Sequence, residues 1–146
     1  MPKKLSIVNL SILILSLFFS GCAPTCSYSS IQRQENILKM EIIYVSDDYG
    51  SRFEDVSNAQ VVQIIESEQW KQVLIDFKNL PCSKVAFDPS YSIFGNVIRI
   101  TYVDSTIELL SDCTIATYNQ GDWNLTSHTI SHNEYEAFIN EYTGLS

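Results

Sequence analysis

Between residues 37 and 142 the hydrophobic pattern switches between a two-residue and a 3.6-residue period, as expected for strands mixed with amphipathic helices. In 38–45, Met40, Ile42 and Tyr44 alternate with Glu41, Ile43 and Val45, which predicts a strand. Residues 61–65 read as a second, shorter one. Trp70, Val73, Leu74 and Phe77 then fall at i, i+3, i+4 and i+7, a single apolar stripe on a helix. Ser67 is suited to cap that helix and Glu68 to its first turn, while Asn79 and Pro81 end it. Short alternating runs follow at 84–87, 96–103, 106–110, 113–118 and 123–129. Asp88-Pro89, Asp104-Ser105 and Asn119-Gln120-Gly121-Asp122 supply the turns. A second helix is predicted from the capping-box spacing of Ser131 and Glu134, with Ile130 stapled to Tyr135. Its stripe is Tyr135, Phe138, Ile139 and Tyr142, and Gly144 closes it.

Connections of two to four residues are too short for parallel crossovers. The expected fold class is therefore α+β: an antiparallel meander of about five to six strands with two amphipathic helices packed on one face. Residues 37–146 form a single domain in this reading, with no internal repeat. The polar stretch 47–58, around Gly50, is expected to be a loop.

Ahead of the domain the pattern is different. Lys3 and Lys4 precede an apolar run over 5–19, and Ser20-Gly21 then lead into Cys22. A basic segment, an apolar segment and small residues in that order read as a secretory signal. Fifteen helical residues rise about 22 Å against a hydrocarbon core of about 30 Å. Removal is thus the better reading than a permanent span. Phe19-Ser20-Gly21-Cys22 resembles the lipobox of bacterial lipoproteins, with Phe19 where Leu is usual. The resemblance implies a signal peptide over 1–21 and lipidation of Cys22, whose acyl chains (palmitate among them) would hold the protein to the membrane. In layout the chain is similar to small envelope lipoproteins, a grouping that brings no activity with it. Residues 22–36, polar and serine-rich, read as a flexible tether lifting the domain off the bilayer.

The formal net charge of −8 becomes −10 once Lys3 and Lys4 are removed. An exported domain this acidic is not expected to bind nucleic acid. It is also repelled by anionic lipid, so membrane contact falls to the lipid on Cys22.

Candidate chemistry is sparse. His128 and His132 are the only histidines, four residues apart, with Glu134 and Glu136 nearby. They are weak metal candidates, because the capping box sets His128 before the helix and His132 in its first turn. No H-E-x-x-H, G-x-S-x-G, C-x-x-C or phosphate-cradling glycine run is present. Asp47, Asp48, Glu54 and Asp55 lack calcium-loop spacing. With Tyr49 and Phe53 among them, Asp47 and Asp48 form a candidate partner surface. Cys82 and Cys113 form a candidate disulfide. Asn124-Leu125-Thr126 matches a glycosylation sequon without consequence in a bacterial lipoprotein.

These readings predict an exported, lipid-anchored, non-enzymatic binding module on the extracytoplasmic face of the cell membrane. Its expected partner is a protein, peptide or envelope component, and it needs no cofactor. The alternatives are a small envelope hydrolase or metal-dependent enzyme using His128 and His132, and a surface inhibitor or immunity-type factor.

Overall fold

The computed structural model describes residues 34–46, 56, 59–84 and 93–144. The signal segment, the lipobox with Cys22, most of the tether and the candidate surface of Asp47, Asp48, Tyr49 and Phe53 lie outside the described residues.

Seven strands and two helices make up the domain: β1 (Ile37–Val45), β2 (Gln60–Ile64), α1 (Trp70–Asn79), β3 (Cys82–Lys84), β4 (Gly95–Tyr102), β5 (Ile107–Leu110), β6 (Thr114–Asn119), β7 (Asp122–Ile130) and α2 (His132–Thr143). They form a mixed α+β fold around one antiparallel sheet. Its seven strands exceed the expected five to six, and its order is β2-β1-β4-β5-β6-β7-β3. Only β4 to β7 form a true meander. β1 and β2 are a hairpin added beside β4, and the chain then crosses through α1 from one rim to the other, where β3 pairs with β7. Three residues of strand are too few to declare their partner by local pattern, so that crossover is invisible to periodicity.

Alternation along the strands sorts two apolar clusters. Met40, Ile42, Ile98, Ile100, Tyr102, Leu110, Ile115 and Ile130 join Val73, Leu74 and Phe77 of α1 and Tyr135, Phe138 and Ile139 of α2. Ile43, Val45, Val97, Leu109 and Ala116 point the other way and pack with Val56 and Ile93.

Turn chemistry follows the sequence where glycine is needed. Gln120 and Gly121 both take positive φ (52° and 100°), as a type I′ hairpin between β6 and β7 requires. Gly144 ends α2 in the left-handed region. The helix starts depart from expectation. α1 begins at Trp70 behind a Ser67–Gln69 turn, and neither Gln69 nor Ser131 makes a side-chain capping bond. Two other contacts pin these helices. Trp70 Nε1–H donates to the Ile65 carbonyl (2.8 Å). The Tyr135 hydroxyl lies 2.8 Å from the Leu110 carbonyl and 3.0 Å from that of Asn96, anchoring α2 over the middle of the sheet. Burial drives the Tyr135 hydroxyl pKa far upward, and nearby Asp112 and Glu136 add to the shift.

Candidate functional site

The β5–β6 turn gathers three of the residues singled out by chemistry: Cys113, His128 and, through Asp112, His132. The Ser111 hydroxyl accepts the Thr114 N–H (3.0 Å) and the Cys113 N–H (3.4 Å) and donates to the Thr114 carbonyl (3.0 Å). This locks the turn, and β7 runs alongside it: the His128 N–H donates to the Cys113 carbonyl and the Ile130 N–H to the Asp112 carbonyl.

His128 is 5% exposed. Its Nε2 sits 2.9 Å from the Ser111 carbonyl. A carbonyl only accepts, so Nε2 carries the proton and Nδ1 is the bare nitrogen. Nδ1 is buried with no hydrogen-bond partner. The Phe77 ring meets the imidazole edge-on, with centroids 6.1 Å apart. Burial lowers the His128 pKa, against the opposing pull of the Ser111 carbonyl, the Asp112 carboxylate and the Thr126 carbonyl. The ring is thus a neutral packing element.

His132 points elsewhere. It is 72% exposed at the start of α2, with Nδ1 3.6 Å from an Asp112 oxygen. The two imidazoles therefore lie on different elements, one buried and one exposed, with Asp112 near both. Among the described residues no group of three or more His, Cys, Asp or Glu is placed to hold a metal ion.

The cysteine expectation is corrected. Cys82 is disulfide-bonded, whereas Cys113 is a thiol. The reason is topological. Cys82 pairs with Ile130 on one side of β7, while Cys113 flanks β7 on the other. Two strand spacings, about 9–10 Å, exceed the roughly 7 Å limit for bridged Cα atoms. Burial raises the Cys113 pKa, with hydrogen bonds from Ser111 and Thr114 opposing and the Asp112 charge reinforcing. A nucleophilic cysteine needs the opposite shift.

Two buried polar pairs were missed by sequence reasoning. Glu41 (2% exposed) stands directly opposite Arg99 across β1 and β4. Arg99 donates to Glu41 Oε2 from Nε (3.0 Å) and Nη2 (2.8 Å), and from Nη1 to the Val56 carbonyl (3.0 Å). Lys39 Nζ pairs with Glu41 Oε1 at 2.5 Å, so the oxygen that accepts no formal hydrogen bond still has its counter-charge. Burial pushes the Glu41 pKa up, but Lys39 and Arg99 outweigh it and hold the carboxyl below its ordinary value. The Tyr102 hydroxyl donates to buried Glu108 at 2.5 Å across the β4–β5 hairpin. The available signal was a glutamate inside each apolar run, in MEII and IELL.

The surface feature with binding geometry is β2. It is the terminal strand of the sheet, all five residues are exposed, and none is charged. Val61 and Val62 are well exposed and Ile64 reaches 53%. The register with β1 shifts between Ile42 and Ile43, leaving Val62 as an extra residue on β2. Directly opposed residues share a face. Gln60 and Gln63 therefore lie on the side of Tyr44 and Ile42, and Val61 and Ile64 on the side of Ile43 and Glu41. Glu66 and Glu68, both exposed, follow immediately. No described helix is long and apolar enough to cross a membrane. Comparison with protein-family models, with curated proteins and with solved structures returned no match.

Proposed function

We propose that this protein is a non-enzymatic binding module of the bacterial envelope, held to the membrane by lipid on Cys22. It takes up an extended polypeptide segment along the β2 rim. The carrying observation is an uncharged, aliphatic edge strand, Gln60–Ile64, on a chain of net charge −8. Main-chain pairing at such an edge supplies affinity, and alternate side chains supply selectivity. Val61 and Ile64 would receive aliphatic residues of the incoming strand, while exposed Glu66 and Glu68 favour one carrying lysine or arginine. The Val62 bulge bends the rim and disfavours long regular stacking. That supports a short guest segment over open-ended association of copies. A surface inhibitor would use the same rim and differ only in its partner.

The test uses the purified full chain in detergent and a synthetic peptide of alternating valine and lysine. Hydrogen exchange at amides 60–64 is expected to slow with peptide, and Ile64→Lys is expected to abolish that protection. Protection confined to another strand, or an effect unchanged by Ile64→Lys, would sink the reading.

A further inference from the structure

The last two aliphatic residues of the β2 segment turn their main chains in opposite directions. The Ile65 N–H donates to the Met40 carbonyl of β1 (3.0 Å), and the Ile65 carbonyl accepts Trp70 Nε1–H (2.8 Å). Along an extended strand the N–H and C=O of successive residues point to alternate sides. With Ile65 committed to β1, the N–H and C=O of Ile64 point outward, along the open border of the sheet. A strand joining that border pairs there by giving one N–H to the Ile64 carbonyl and accepting the Ile64 N–H in return.

The outward carbonyl already has a partner. Gln63 Nε2–H donates to it at 3.0 Å, from the neighbouring position of the same strand. We propose, resting on the β2-rim reading above, that this contact is a removable cap. Gln63 closes the acceptor at which a guest strand pairs, and a guest enters by replacing the side-chain amide with a main-chain N–H.

The side chain is suited to that task. It starts on the face of Ile42 and turns over the border to reach the carbonyl, so its amide stands where an incoming N–H must go. It is neutral, and it blunts the edge without adding charge to an uncharged strand. It is also exposed, so water takes over its hydrogen bond when it swings away and no buried polar group is left unpaired. The cap selects among guests. An extended segment with a free N–H opposite Ile64 can displace it, whereas proline at that position has no N–H to offer.

The test titrates a fluorescently labelled form of the alternating valine and lysine peptide into the purified full chain in detergent. Anisotropy gives the affinity, and hydrogen exchange at amides 60–64 reports where the peptide sits. Gln63→Met keeps the side-chain length and removes the donor. It is expected to bind the peptide roughly two- to tenfold more tightly than the parent, the range that one net hydrogen bond spans. Gln60→Met, on the same face but away from that carbonyl, is expected to match the parent within about twofold. Equal or weaker binding by Gln63→Met, with amides 60–64 still protected in both chains, overturns the cap and leaves the rim reading standing. A matching gain in Gln60→Met overturns the cap as well, because loss of any amide would then suffice. No protection of 60–64 in either chain removes the rim reading, and the cap with it. The parent chain gives a second readout by NMR. On addition of peptide, the Gln63 side-chain amide protons are expected to move to the position of a hydrated glutamine. Signals that stay in place while amides 60–64 become protected overturn the cap.

Discussion

The two rims of this sheet are built on opposite plans. β3 is three residues long, carries a half-cystine and belongs, through Cys82, to the same apolar cluster as Phe77 of α1. β2 is longer, uncharged and exposed along its whole length. Edge strands invite unwanted pairing unless they are short, charged, bulged or covered. β3 is short and carries a covalent bond, and among the described residues β2 carries its bulge as such a restraint. The contrast sets two borders of one sheet against each other: the β3 side is tied into the core, and the β2 side is exposed.

Cys82→Ser should test that division most strongly. Loss of the bridge is expected to lower stability by about 2–5 kcal/mol, read as a urea midpoint. A change under 0.5 kcal/mol would mean the β3 rim needs no covalent tie. Next comes acidity on the same side. The buried His128 stays neutral in the fold with its pKa lowered, so the unfolded chain binds more protons below its ordinary value of 6.5. Stability is then full above that pH and falls as pH drops toward the lowered folded value, by at most about 1.4 kcal/mol per pH unit. Urea midpoints at pH 7.5 and 5.5 should show the fall, and His128→Gln should flatten it. Glu41 adds a separate loss beginning below its ordinary value of 4.5, since its lowered pKa also favours the folded state only while it is ionised. The smallest effect belongs to the opposite rim. Ile64→Lys should shift stability by no more than about 0.5 kcal/mol, despite its expected effect on peptide protection. A cost above 2 kcal/mol would show that β2 is structural after all and erase the distinction.

Much of this architecture was legible because local period and burial agree. The stripes Val73, Leu74, Phe77 and Tyr135, Phe138, Ile139 are buried as their spacing predicts, and the positive φ at Gln120 and Gly121 matches the turn read there. What stayed hidden is non-local. No neighbour of Cys82 announces that β3 will cross to β7, and that crossover alone excludes a bridge to Cys113. Glu41 reads as the polar member of an alternation, yet a register placing Arg99 opposite makes it a buried ion pair. The histidines show the same limit. Four residues apart in sequence, they diverge because β7 ends and α2 begins between them.

The extra residue in β2 bears on how copies of this chain could pair edge to edge. Removing Val62 would leave Gln63 opposite Ile42 and Val61 opposite Ile43, with every described side-chain direction unchanged. What would vanish is the irregularity. On the proposed lipid anchor, copies would meet at high local density, and a straight aliphatic border shared by all of them would template filament growth. One valine outside the ladder interrupts that border at no expense to the sidedness of the strand.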